Sequence, residues 1–406
     1  MIESKPQEEA GLSTCATLEH PTPTQQQSPS SVPGFLGFFS AFSCCVSSRK
    51  MPHHSPVSEE RSLGTGARSR ERKYHKPRHA GHQHLHKQGA PIIGNPDVVN
   101  PTNGPSSGTS SASMKSSPML ENWMDKFADW RLVDIPVFPG THHSGVNNPR
   151  KRTSQPVWGW AKCQDLGIEE QLYIGVRFLD LRIRVIPKTG EVLISHGLTS
   201  DTSLADALEV VATFLDSHAT EGVILYIRPD KWHGIDKESS DLLSTVIRKS
   251  SVRLCQIPEP REAALKELRV RNIAGTALIV TPEETFPTGS VPFVNATCLQ
   301  YCDIWQANSI EEAKAKIETY MTQKTSSDGN VFGGVALDGT FPIRQQSQTS
   351  RELNQWFIEK LSSDDKWKDR IELSQFGIVL IDFADFDVLT FLIGINNKLM
   401  SIRASS

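Results

Sequence analysis

The sequence predicts an α/β protein, a closed (β/α) barrel behind a disordered N-terminal extension. Three observations carry that expectation. Composition changes near residue 117, apolar strand-like and helix-like segments alternate beyond it, and no glycine-rich phosphate loop interrupts them. An open nucleotide-binding sheet would need such a loop, whereas six or more strands in about 285 residues suit a barrel. Residues 1–117 are therefore assigned to a low-complexity tail and 118–406 to one catalytic barrel.

The tail is crowded with Ser, Pro, Thr, Gln, Gly and His and shows no sustained apolar periodicity. It holds 12 Lys and Arg against 8 Asp and Glu, so of the net charge of −3 the tail carries +4 and the body −7. A mildly acidic body argues against nucleic acid as a partner, because a nucleic-acid binder presents a clustered basic face. Gly34 to Val46, "GFLGFFSAFSCCV", is apolar but shorter than the roughly 18 residues a spanning helix needs. It contains adjacent Cys44 and Cys45, and a basic run from Arg61 to Lys87 follows with Glu71 as its single acid. Together these features predict S-acylation at Cys44 and Cys45, with the tail held against an anionic membrane surface. The "HQHLH" stretch, His82 to His86, reads as solvated imidazoles.

The seven cysteines are odd in number and irregularly spaced, and "MIESKPQEEAG" shows no apolar signal core. Reduced thiols in a cytoplasmic chain, peripheral on a membrane through its tail, are expected. Cys298 and Cys302 read as buried thiols on a strand, since no second Cys or His pair lies at metal spacing.

In the body, "RLVDIPVFPGT" reads as a first strand and "GVRFLDLRIRVI" as a second. The segment "LADALEVVATFLDSHA" has helical spacing, with Thr202 or Ser203 as its cap. Strands follow at "GVILYIRPD", "GTALIVTPEE", "ATCLQYCDIW", "VFGGVALDG" and "GIVLIDFADFD", with helices at "SIEEAKAKIETYM" and "SRELNQWFIEKLSS". Strands separated by helices imply parallel order. Along the second strand Leu179, Leu181 and Ile183 share one face, and Asp180, Arg182 and Arg184 the other. In a barrel the charged face points inward, where Asp180 and Arg182 would pair.

The body keeps five of the thirteen histidines: His142, His143, His196, His218 and His233. His142 and His143 in "PGTHHSG", Asp180 and Arg182, and His196 in "LISHG" all sit at or just past strand ends, the face on which barrels build active sites. Two imidazoles and a guanidinium suggest acid–base chemistry on a phosphodiester, with no metal and no cofactor.

Four blocks, "PGTHHSG", "WAKCQDLGIEEQLYIGVRFLDLRIR", "LISHG" and "VILYIRPD", together resemble the X region of phosphatidylinositol-specific phospholipase C, of the bacterial and small eukaryotic single-domain type. The resemblance spans about residues 120–390 and is closest over 130–230. It implies an irregular TIM-type barrel that cleaves phosphatidylinositol, or a glycosylated relative, without calcium, to diacylglycerol and inositol 1,2-cyclic phosphate. His142 would be the base, His196 the acid, Arg182 the phosphate ligand with Asp180 orienting it, and Asp382 the partner of His142. Arg228 would contact the inositol ring, with Arg184 and His143 beside it in substrate binding. One departure stands out: the family's Asp after the catalytic His is His143 here. Two other readings stay open. One is an inactive barrel of the same shape that binds phosphoinositide headgroups or a protein. The other is a metal-dependent glycerophosphodiester or sphingomyelin phosphodiesterase, which would want Glu and Asp around a divalent ion where Arg182 and Arg184 stand. Oligomeric state is not predicted.

Overall fold

The computed structural model describes residues 117–405 apart from 151–157, 160, 231–234, 259–266, 283–284, 287–289, 303, 305–306, 323–331, 338–345 and 373–376. Cys44, Cys45, the basic run and His233 therefore lie outside the described residues.

The strands are β1 (Val137–Thr141), β2 (Phe178–Ile186), β3 (Glu191–His196), β4 (Leu198–Ser203), β5 (Val223–Pro229), β6 (Ala277–Thr281), β7 (Val294–Asn295), β8 (Leu299–Cys302), β9 (Phe332–Leu337) and β10 (Gly377–Ile381). Eight of them form one path in the order β7-β6-β5-β2-β1-β10-β9-β8, with every step parallel. Leaving aside β3 and β4, that order runs once around a ring in chain sequence. The sheet curls into the expected irregular barrel of TIM type, and the curl is visible in the packing. Phe138, Phe178, Ile224, Leu278, Val294, Ala336 and Ile378 come from seven different strands yet belong to one buried cluster. Among the described residues no ladder joins β7 to β8, so the ring has a seam there.

Two elements differ from the sequence expectation. The first strand begins only at Val137, because Leu132–Asp134 forms a 3-10 turn instead. The second difference is an antiparallel hairpin, β3 with β4, laid against the far half of β2. Strictly parallel order overlooked it, since β4 reads "LTSDTS" and offers no apolar alternation.

Apolar burial follows the strand period of two. Val223, Leu225 and Ile227 face the helices, while Ile224 and Tyr226 face inward. The segment from Leu120 to Ile135 closes the barrel's N-terminal end, with Trp123, Met124 and Phe127 joining the inward cluster and Trp123 edge-on to Phe138. Arg177 and Glu221 tie that plug down: Glu221 pairs with Arg177 at 2.8 Å and accepts from the Met124 amide at 3.0 Å. The helix Leu204–Ser217 starts where the sequence places it, capped by Ser203, whose hydroxyl accepts from the Asp206 amide.

Gly334 shows how tightly β9 and β10 approach. A methyl group there would lie 2.2 Å from the Ile378 carbonyl oxygen, so the strands would have to separate. Gly334→Ala is expected to destabilise the barrel by about 1–3 kcal/mol. Thermal unfolding reads this as a drop of several degrees; an unchanged midpoint would show that the strands part freely.

Candidate active site

Four inward columns change character toward the C-terminal ends of their strands. On β1 and β2 they run Phe138, Gly140, His142 and Phe178, Asp180, Arg182; on β5 and β10 they run Ile224, Tyr226, Arg228 and Ile378, Leu380, Asp382. Each begins with a side chain of the inward apolar cluster and ends with a buried polar one. The same alternation that fills the core thus delivers His142, Arg182, Arg228 and Asp382 to one face.

His142 is fixed on both nitrogens. Its Nδ1 lies 3.0 Å from Asp382 Oδ1 and its Nε2 lies 2.9 Å from Arg182 Nη2. A guanidinium only donates, so Nε2 accepts and Nδ1 carries the proton that it donates to Asp382. The imidazole therefore presents a lone pair on Nε2. Gln164 holds the backbone beneath, donating from Nε2 to the carbonyls of His142 (2.9 Å) and Ile381 (2.8 Å). Gln346 donates to Asp382 Oδ2 at 2.8 Å, and Asn354 to the Asp382 carbonyl at 2.9 Å. Burial pushes the Asp382 carboxyl up to about 7, against the lowering effect of the Gln346 amide.

Asp180 pairs with Arg182, as the sequence predicts, and with Arg228 as well. Its two oxygens accept from Arg228 Nε at 3.1 Å and Nη2 at 3.2 Å, while Arg182 Nε stands 3.5 Å away. Parallel register explains this: Arg182 is level with Arg228 across β2 and β5, and Asp180 reaches diagonally between them. Burial works to raise the Asp180 carboxyl, but Arg228 and Arg182 outweigh it and hold it well below the usual range. Arg184 lies apart and is half-exposed, donating to the Gly197 carbonyl at 3.0 Å.

His196 enters from the β3–β4 turn. Its Nδ1 lies 2.9 Å from the Ala161 carbonyl, an acceptor only, so Nδ1 is protonated and Nε2 is bare in the neutral ring. Asp230 latches this turn, accepting from Ser195 Oγ at 2.7 Å and from the Gly197 amide at 2.9 Å. Burial first, then the Arg182 charge, lowers His196 to about 4.

His143 is fully buried and has a left-handed backbone, φ 44°, a conformation imidazole-bearing residues tolerate better than most. The turn swings its ring onto His196, stacked with centroids 3.9 Å apart, and edge-on to His142 at 4.3 Å. Among the described residues neither of its ring nitrogens has a hydrogen-bond partner. Burial and the neighbouring Arg182 lower it well below the ordinary histidine range, so it stands as a neutral ring.

The structure thus gathers His142, His143, Asp180, Arg182, His196, Arg228 and Asp382, and leaves Arg184 at the rim. His218 lies elsewhere, stacked on Phe214, and Trp158 is core. Sequence reasoning missed Gln164, Gln346, Asp230 and Cys163, whose Sγ is 3.4 Å from His196 Nδ1 and accepts from Gln346 Nε2 at 3.2 Å. For Asp230 a signal existed, since it ends the quoted "VILYIRPD" block on the same strand as Arg228. Among the described residues two groups bring three donor atoms within 4.8 Å of one another: His142, His143 and Asp180, and His142, Cys163 and Asp382.

Comparison with known proteins converges on one family. The model for "Phosphatidylinositol-specific phospholipase C, X domain" matches residues 150–252, a span with Asp180, Arg182, His196 and Arg228 but neither His142 nor Asp382. PI-PLC X domain-containing protein 1 of Danio rerio is 30% identical over 258 residues, which cover 57% of this chain and 79% of that protein. The 1-phosphatidylinositol phosphodiesterase of Staphylococcus aureus (strain Newman) is 30% identical over 124 residues, 30% of this chain and 37% of that one. In fold, the phosphatidylinositol-specific phospholipase C of Listeria monocytogenes superposes with a TM-score of 0.54 at 17% identity, covering 68% of this chain and 98% of that one. Among the described residues no helix is long and apolar enough to cross a membrane.

Proposed function

Because this chain belongs to the phosphatidylinositol-specific phospholipase C X-domain family, we propose that it cleaves phosphatidylinositol, or a glycosylated relative, by acid–base transesterification at a membrane surface. The observation that carries this reading is the double anchoring of His142, with Nδ1–H on Asp382 and the Nε2 lone pair facing Arg182. In the proposed reaction the inositol 2-hydroxyl gives its proton to His142 Nε2 and its oxygen attacks phosphorus. Arg182 turns from Nε2 to the phosphoryl oxygens as charge builds there. His196 protonates the departing diacylglycerol oxygen, leaving inositol 1,2-cyclic phosphate. Arg228, braced by Asp180, adds positive charge beside the headgroup. Calcium independence is part of the proposal, since Arg228 takes both Asp180 oxygens that a calcium ion would require.

A second reading, a weakly active or inactive barrel that binds phosphoinositide headgroups, is favoured by one observation. His196 must be protonated to act, yet it sits at about 4, while Asp382 must be ionised, yet it sits at about 7. Between those values the two requirements oppose each other over three pH units. Few molecules then hold both groups in the required form.

Phosphorus NMR of phosphatidylinositol vesicles with the full chain in excess chelator separates the readings. Growth of a cyclic phosphate resonance, abolished in His196→Ala, supports the lyase. Vesicle binding by a folded chain without any product supports the binding module.

A further inference from the structure

His142, Cys163 and Asp382 offer nitrogen, sulfur and oxygen donors within 4.8 Å of one another, all buried. We propose that a thiophilic divalent cation, zinc above all, binds Cys163 Sγ, Asp382 Oδ1 and His142 Nδ1 and shuts the site off. The proposal goes beyond the function argued above, and only its inhibitory half rests on that reading.

The geometry needs little movement. Tetrahedral zinc with bonds of about 2.0–2.3 Å sets its ligand atoms about 3.3–3.7 Å apart. His142 Nδ1 and Asp382 Oδ1 stand at 3.0 Å, and Cys163 Sγ lies within 4.8 Å of a ring nitrogen of His142 and a carboxylate oxygen of Asp382, so shifts of about an ångström complete three bonds. The ligands are already braced from outside, since one Gln346 amide donates to both Cys163 Sγ (3.2 Å) and Asp382 Oδ2 (2.8 Å). A water supplies the fourth position, because His196 Nδ1 keeps its proton on the Ala161 carbonyl. The other donor group, around Asp180, is a poorer host because Arg228 and Arg182 stand on its carboxylate.

Inhibition follows from the tautomer. Zinc on Nδ1 displaces the proton that now points at Asp382, and in the neutral ring that proton moves to Nε2. The base then lacks the lone pair that would receive the inositol proton, and Arg182 faces an N–H instead of an acceptor. With Asp382 ionised, the thiol proton released to solvent is the one net proton lost on binding.

Cobalt(II) titrated into the metal-stripped full chain tests this, because a thiolate–cobalt charge-transfer band reports cysteine ligation and tail histidines cannot produce it. One equivalent is expected to saturate the band, zinc to displace it, and Cys163→Ser and Cys163→Ala to abolish it. A band unchanged in both variants, or none at saturating cobalt, overturns the site. Zinc is then added during phosphatidylinositol turnover, each protein being compared with itself. Loss of at least tenfold in the parent, reversed by chelator and reduced in the Cys163 variants, supports inhibition. Equal zinc sensitivity in the variants, despite a lost band, overturns it. A metal-free chain that turns over no lipid, although cobalt binds it through Cys163, refutes the catalytic reading together with the inhibitory half and leaves the metal site standing.

Discussion

His142→Ala is expected to lower turnover of phosphatidylinositol by about 10²–10⁴-fold, the range a positioned general base supplies. Its effect should fall on kcat and leave KM nearly unchanged, because the phosphate and ring contacts assigned to Arg182 and Arg228 stay in place. The size follows from the anchoring: one nitrogen is fixed by Asp382 and the other aimed by Arg182, a placement no neighbouring ring shares. His143 cannot substitute, since its ring is stacked on His196. Initial rates on phosphatidylinositol vesicles check the prediction, with thermal unfolding confirming an intact barrel. Turnover within a few-fold of the parent would remove His142 from the mechanism.

His143→Asp should act in the opposite direction. An imidazole general acid works in its charged form, so it is competent below its pKa and lost as pH rises through it. His196 sits at about 4 with a neutral ring stacked on it and the Arg182 charge nearby, so little of it is charged at pH 7. A carboxylate in place of His143 would stand beside His196 and favour its charged form by about 1–3 pH units. Turnover at pH 7 is then expected to rise by about tenfold or more, with the descending limb of the pH–rate profile moving to higher pH by the same interval. The backbone permits the change, because Asp tolerates a φ of 44°. An unmoved descending limb in a folded variant would show that His143 does not set the acid's protonation.

How much of this was legible depended on how local each signal was. The alternation of "FLDLRIR" along β2 correctly put Leu179 and Leu181 against the helices and Asp180 and Arg182 inside. Asp382 was reached by resemblance, and the structure puts it 3.0 Å from His142. Pairing across strands was not legible, because it depends on register. Asp180 pairs with Arg182, its neighbour on the same face, as the alternation predicts, but the β2–β5 ladder also puts Arg228 within reach of both its oxygens. Cys163 and Gln346 were invisible for a similar reason. They come from a loop and a helix far apart in the chain, and no periodicity marks them. The β3–β4 hairpin escaped notice because its second strand is polar.

The seam of the barrel bears on how these molecules behave in company. A sheet that does not close retains two edges, and open edges invite other chains to add strands to them. Among the described residues the edges at this seam are β7, two residues long, and β8, four residues long. Such short runs expose few unpaired backbone groups, too few to template a second copy in register. Brevity at the seam is thus a safeguard against edge-to-edge aggregation, and lengthening either edge strand would weaken it.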